Sequence, residues 1–219
     1  MDAIRYQVPM VRQHFSPVCW LASAVMVMQY KEGATMSVED LAERAGLQGP
    51  DFRLPGLTVE DETPVGNDQQ TVLGMLGFTG QRLDLLTTQR ERARLQRGRG
   101  AHFATAAPPR QRRPLPQGPP SAPTHPGEHA IHWVLSNHGP FVLLHHVGSF
   151  SYGPNLPIPP QALGSGHAVV VTGFIPELHR VTFNNPWGQT DVPTTASSIV
   201  GAIRRWEDFS SNSQSMYWL

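Results

Sequence analysis

Residues 13–28 read QHFSPVCWLASAVMVM, and this stretch decides the fold. Ser16 and Pro17 are typical of a helix start, because a serine oxygen can cap the first N–H groups and proline fits the first helical position. The residues that follow are almost all apolar or small, which predicts a helix over 17–31 that is buried on most sides. Cys19 therefore lies in the first helical turn, where free N–H groups and the helix dipole favour a thiolate.

Charge and cysteine content exclude several classes of protein. The formal net charge of the 219 residues is zero, so the totals indicate neither a nucleic-acid-binding protein nor one attracted to anionic membranes. With one cysteine the chain can form no internal disulfide, which fits a reducing compartment. The N-terminus lacks a signal-peptide pattern, and the apolar run over 18–28 is too short to cross a bilayer. We expect a soluble protein in the cytoplasm of the producing cell.

The order of the predicted elements indicates an α+β fold with two lobes. Helices come first and antiparallel strands second, which predicts an N-terminal helical lobe around the central helix, a C-terminal sheet and a cleft between them. Gly, Pro, Asn and capping residues mark the element boundaries. The further predicted helices are 38–45, 69–76, 129–138 and 200–209, and the predicted strands are 80–86, 141–147, 167–175, 180–185 and 215–219.

An arginine- and proline-rich stretch separates the two lobes. Nine of the sixteen arginines fall between Arg82 and Arg113, and eight prolines follow between 108 and 126. Few apolar side chains are present to offset the entropy of ordering this stretch. We interpret 88–127 as a flexible insertion in a single domain, 1–219, between a helical lobe, 1–80, and a β-rich lobe, 128–219. A basic arm for nucleic acid or an acidic partner is the alternative, but no aromatic side chains interleave the arginines.

A thiol nucleophile needs a base, and the base needs an orienting group. Of the ten histidines, His167 stands out because it opens an apolar strand directly after the flexible Gly-Ser-Gly of 164–166. Asn185 ends the next strand, 18 residues later. Adjacent antiparallel strands would bring the two within hydrogen-bond reach, with Trp187 covering that bond from water. Asn184 competes for the same role, since strand alternation lets only one of the two asparagines face the histidine.

Each of these residues also has an ordinary structural explanation. A lone cysteine on an apolar helix is usually an inert core residue, a lone histidine is usually structural, and asparagine before proline is a turn residue. The catalytic interpretation gains its weight from all of them occurring together. We expect neither a cofactor nor a metal ion, because no cysteines are paired and the histidine pairs at 129/132 and 145/146 lack a third ligand at a usual spacing.

Three fragments in chain order, Q-x5-C-W, G-H-A-V and N-P-W-G, resemble the papain-like cysteine peptidases. The 148 residues between Cys19 and His167 fit the gap of ~130–150 expected in that group. Residues 5–50 and 128–219 resemble most closely the bacterial effector branch, which includes the avirulence protease of plant-pathogenic pseudomonads. The resemblance does not cover 82–127.

The resemblance implies a role for four side chains. Cys19 would be the nucleophile, His167 the base and Asn185 the orienting residue, while Gln13 would supply the oxyanion hole together with the backbone N–H of Cys19. Two features depart from the family pattern. The sequence reads S-P-V-C-W where papain has C-G-S-C-W, and many bacterial relatives carry aspartate at the position of Asn185.

The resemblance also implies a cysteine endopeptidase that acts on a protein of a target cell. As an effector or toxin, delivered by a type VI or contact-dependent system into the target-cell cytoplasm, it would be a monomer whose cleft is blocked in the producer by a cognate immunity protein. The alternatives are another Cys-His hydrolase, namely a peptidoglycan amidase, a deamidase or a bacteriocin leader peptidase, or a non-catalytic module with the same fold.

Overall fold

The structure is a computed structural model that describes residues 1–13, 18–49, 52, 66–83, 86, 126–148, 166–209 and 214–219. Helices and strands follow one another as β1 (Ile4–Arg5), α1 (Cys19–Glu32), α2 (Val38–Arg44), α3 (Gly66–Met75), β2 (Thr79–Gln81), α4 (Pro126–His138), β3 (Phe141–His146), β4 (Gly166–Ile175), β5 (Arg180–Asn185), β6 (Gln189–Thr195), α5 (Ala196–Phe209) and β7 (Met216–Trp218). The α+β class predicted from the sequence is confirmed.

All seven strands form one antiparallel sheet. Its order is β2-β7-β3-β4-β5-β6, and β1 pairs with β4 beside this path. The predicted division into helices first and strands second therefore has two exceptions, because β1 and β2 come from the N-terminal part of the chain and pair with strands of the C-terminal part. These pairings tie both parts of the chain into one sheet.

The sheet lies between two apolar layers, and β3 and β4 show this through their alternating side chains. Val142 and Val170 belong to the core that contains α1, whereas Leu143 and Val169 belong to the core that contains residues of α4 and α5. Each face of the central strands is thus buried under helices. This explains why both strands read as nearly continuous apolar runs rather than as alternating ones.

The central helix has the burial that its sequence predicts. Every side chain from Cys19 to Met28 is buried, and the helix ends at Gly33, whose φ of 66° is readily accepted only by a residue without Cβ. Its start differs from the prediction by two residues. Val18 occupies the N-cap position and makes no side-chain capping hydrogen bond. The predicted cap, Ser16, and the predicted first helical residue, Pro17, lie outside the described residues.

Other local predictions met mixed outcomes. Helix α2 begins with a capping box, in which the backbone N–H of Ser37 donates to the Asp40 carboxylate at 2.8 Å and the backbone N–H of Asp40 donates to the Ser37 hydroxyl at 3.0 Å. Strand β6 was not predicted, because Asp191 and Pro193 interrupt the alternation of apolar and polar residues. The strand lies at the edge of the sheet, where proline is tolerated.

Helix α4 begins at Pro126, so the predicted insertion 88–127 extends two residues too far. The rest of that predicted insertion lies outside the described residues.

Within the described ranges, no helix is both long enough and apolar enough to pass through a lipid bilayer.

Candidate active site

Cys19 is the first residue of α1, and the fold places it against the start of β4. The backbone N–H of Ala168, the residue after His167, is near enough to the Cys19 thiol to act on its pKa. Helix α1 packs on β4, which brings Cys19 near Ala168, 149 positions later in the sequence. The fold therefore brings Cys19 close to the start of the strand that carries His167.

The bond between His167 and Asn185 fixes the tautomer of the imidazole. Nε2 of His167 lies 2.9 Å from Oδ1 of Asn185, and the backbone N–H of Trp187 donates to the same atom at 3.1 Å. A backbone N–H can only donate, so the Asn185 atom that accepts from Trp187 must be the amide oxygen. An amide oxygen can only accept, so Nε2 of His167 must carry the hydrogen of the bond between them. The lone pair of the neutral ring then sits on Nδ1, which is the atom able to take a proton from a thiol.

Trp187 covers this pair. Its ring stacks on the imidazole of His167 with the centroids 4.1 Å apart and the planes at 21°. His167 is 4% exposed and Asn185 is fully buried. The prediction that Trp187 keeps water from the His167–Asn185 bond agrees with this geometry.

Asn184 makes hydrogen bonds to the backbone and not to His167. Its Nδ2 donates to the carbonyl oxygen of Val8 at 3.0 Å, and its Oδ1 accepts from the backbone N–H of Asp191, also at 3.0 Å. These two bonds join the N-terminal segment and β6 to β5. The geometry therefore makes Asn185, not Asn184, the partner of His167.

Gln13 lies beside the same turn. Its backbone N–H donates to the carbonyl oxygen of Pro186 at 2.9 Å, which fixes the chain just before α1 next to Asn185 and Trp187. The side chain is half-buried. Residues 14–17, which connect Gln13 to α1, lie outside the described residues, so the approach of the Gln13 amide to the Cys19 thiol stays a prediction.

Burial controls the charge of the Cys19 thiol and of the His167 imidazole. It raises the pKa of the Cys19 thiol to about 11, although backbone N–H groups of Ala168, Trp20 and Cys19 act in the opposite direction. It lowers the pKa of His167 to about 4, although the bond to Asn185 favours the charged ring. At rest the pair is thus a thiol and a neutral imidazole. The expectation that the helix start holds Cys19 as a thiolate is wrong, because desolvation outweighs the helix start.

The lowered pKa of His167 predicts a loss of stability in acid. The unfolded chain binds a proton at its ordinary pKa of 6.5, whereas the folded chain does not until about pH 4, so stability present above pH 6.5 is lost as the pH falls toward 4. The loss from this residue is roughly 3 kcal/mol. Urea unfolding at pH 7.0 and 4.5 measures it. His167→Gln should show a shallower dependence; an identical slope in the variant would contradict the assignment.

Sequence reasoning missed one residue of the site. His145 was placed only as a residue of a strand interior, yet it pairs with His167 across β3 and β4. The two rings meet edge to face, with centroids 5.6 Å apart and planes at 89°. The available signal was a histidine in an otherwise apolar run, and the sequence alone does not show which residue lies opposite it on the neighbouring strand.

In the part of the chain that the structure describes, no three His, Cys, Asp or Glu side chains come together as metal ligands would. The chemistry that the described side chains can perform is proton transfer between a thiol and an imidazole, followed by nucleophilic attack by sulfur.

Comparisons with known proteins agree with this geometry. A family model described as papain-like cysteine protease AvrRpt2, of peptidase family C70, matches residues 2–112, just over half of the chain. The match includes Gln13 and Cys19 and ends before His167. No curated protein matches the sequence. Among solved structures, a C39-like peptidase from Bacillus anthracis is similar in fold, with a TM-score of 0.50 and 15% identity over 100% of this chain and 98% of that one.

Proposed function

Because the chain belongs to the AvrRpt2 family of papain-like cysteine proteases and is therefore a cysteine peptidase, we propose that Cys19, His167 and Asn185 carry out its catalysis. The observation that carries the proposal is the position of Cys19 at the start of α1, near the backbone N–H of Ala168, the residue after His167. The bond of His167 to Asn185 supports it, since it sets the tautomer that a base acting on a thiol needs.

In the proposed mechanism, Nδ1 of His167 removes the thiol proton as Sγ of Cys19 attacks the carbonyl carbon of the peptide bond. The carbonyl π electrons move to the oxygen, and the C–N bond then breaks as His167 donates its proton to the leaving amine. The resulting thioester is attacked by water, whose proton passes to His167. Loss of the thiolate releases the acid, and the thiolate takes the proton back from His167.

In this mechanism, Asn185 and Trp187 stabilise the positive charge that His167 carries while it is protonated. When Nδ1 gains a proton, the imidazolium keeps its Nε2–H bond to the Asn185 oxygen, which favours the charged ring. The stacked Trp187 face can stabilise the same charge while excluding water. The oxyanion would be received by the backbone N–H of Cys19, one of the first N–H groups of α1, which have no partner within the helix, together with the amide of Gln13.

The pKa values predict the pH dependence of cleavage. His167 must be neutral to accept the thiol proton, and its pKa of about 4 moves the acid limb of kcat/KM far below the ordinary histidine value of 6.5. The pKa of about 11 at Cys19 puts the alkaline limb above pH 9, where the pair loses its last proton. We expect a level profile between pH 5 and 9, measured with labelled casein. Aliquots returned to pH 7 control for unfolding, and an acid limb near pH 6.5 would contradict the prediction.

We propose further that the protein is an endopeptidase effector or toxin that cuts a protein of a target cell. The match of residues 2–112 to the AvrRpt2 family model supports this step, and a single cysteine suits action in a reducing cytoplasm. In this proposal a type VI or contact-dependent system delivers the monomer to the target-cell cytoplasm. An immunity protein occupies the cleft in the producing cell.

Expression of the wild type and Cys19→Ala in a bacterial cytosol tests the effector proposal. Growth is followed, and new protein N-termini are catalogued by mass spectrometry. Arrested growth and a few new termini in the wild type alone support a selective protease toxin and identify its substrate. Equal growth without new termini overturns a bacterial cytosolic target. Digestion of purified peptidoglycan in parallel would favour the amidase alternative.

A further inference from the structure

His145 is a buried polar residue on an apolar face. Its neighbours on the same face of β3, Phe141 and Leu143, are fully buried hydrophobic residues, and Val147 continues the pattern. His145 itself is 0% exposed. A histidine here gives up the hydration of its ring nitrogens, so leucine would suit the face better on stability grounds alone.

The ring of His145 is uncharged and held in place. Its Nδ1 lies 3.3 Å from the carbonyl oxygen of His146, and because a carbonyl oxygen only accepts, Nδ1 carries the hydrogen. Burial, with His167 and His146 nearby, lowers the pKa of His145 well below the ordinary value. A neutral ring can contact a histidine that becomes positively charged during the reaction without repelling it.

Three contacts define the orientation of His167. Asn185 holds Nε2, Trp187 stacks on one face, and His145 meets the ring edge to face from the directly opposite position on β3. Edge-to-face contacts between rings fix their relative angle and contribute about 0.5–1.5 kcal/mol beyond area burial. A branched aliphatic side chain at position 145 would fill space without fixing the angle.

We propose that His145 is a positioning residue that orients His167 so that Nδ1 meets the Cys19 thiol. The inference rests on the proposed function, in which His167 is the base. It accounts for a histidine where the rest of the face favours an aliphatic residue.

Three variants test the proposal. His145→Leu matches the apolar face, and His145→Phe keeps an aromatic edge. His146→Leu is a matched control, because side chains alternate along β3 and that of His146 therefore lies on the opposite face of the strand. Two rates are measured: cleavage of labelled casein, and alkylation by iodoacetamide, which reports on Cys19 alone because the chain has one cysteine. Urea unfolding gives the stability of each variant.

We expect His145→Leu to lower kcat and the alkylation rate by about three- to tenfold, with KM and stability not reduced. His145→Phe should recover most of both rates, and His146→Leu should leave both unchanged. Unchanged rates in His145→Leu, or rates in His145→Phe as low as in His145→Leu, would overturn the proposal. So would a loss of rate that merely follows a loss of stability.

Alkylation separates this inference from the proposed function. If the wild type cleaves no casein and its alkylation rate does not respond to His167→Gln, the proposed Cys-His pair fails. If His167→Gln slows alkylation but His145→Leu does not, the pair stands and the role of His145 fails.

Discussion

Cys19→Ala is expected to lower peptide cleavage by at least about 10⁴-fold while the protein stays folded. The variant removes the only thiol of the chain, and without sulfur no thioester forms. The helix should survive, because alanine has the highest helix propensity and the deleted atom leaves a small gap at a residue that is already 8% exposed. We expect a loss of stability of about 1 kcal/mol or less.

Ser23→Ala is the matched control for this prediction. Ser23 lies one helical turn further along α1, is fully buried, and its hydroxyl group makes no hydrogen bond to any residue that the structure describes. Its replacement changes the helix interior by one atom and should leave cleavage of labelled casein unchanged. Far-ultraviolet circular dichroism and urea unfolding verify the fold of both variants. Cleavage by folded Cys19→Ala at the wild-type rate would remove Cys19 from the mechanism.

The elements around the site were predictable because their signals are local. Helix α1 shows a long apolar run ended by Gly33, and β4 shows an uninterrupted apolar stretch directly after His167. Asn185 could be placed because β4 and β5 are consecutive strands joined by a short turn, so their approach follows from chain order. Chain order thus predicts that His167 lies close to Asn184 and Asn185, and it leaves the choice between the two asparagines open.

Most of the missed features depend on partners distant in the sequence. Strand β1 has only two residues, and neither its pairing with β4 nor the pairing of β2 with β7 has a local signature. The choice between Asn184 and Asn185 depended on Val8, 176 residues before Asn184. The charge state of Cys19 was predicted wrongly for the same reason, since the helix start is visible in the sequence but the depth of burial is not.

Gln13→Ala is expected to lower kcat by about 10²–10³-fold with little change in KM, the effect typical of losing one side-chain donor to an oxyanion. The carbonyl oxygen gains its negative charge only in the transition state, so the bound substrate should feel the loss far less. The backbone of Gln13 is fixed by Pro186, and a truncated side chain leaves that hydrogen bond intact. Steady-state cleavage of labelled casein measures both constants.

Two further variants decide whether the Gln13 amide acts as a donor. Gln13→Glu keeps the length and shape of the side chain but presents only acceptor oxygens at neutral pH, so it should be as slow as Gln13→Ala or slower. Gln7→Ala shortens an exposed glutamine of the same N-terminal segment and should cleave at the wild-type rate. Wild-type kcat in Gln13→Glu would exclude hydrogen-bond donation by this side chain, and the oxyanion would then depend on the backbone N–H at the start of α1.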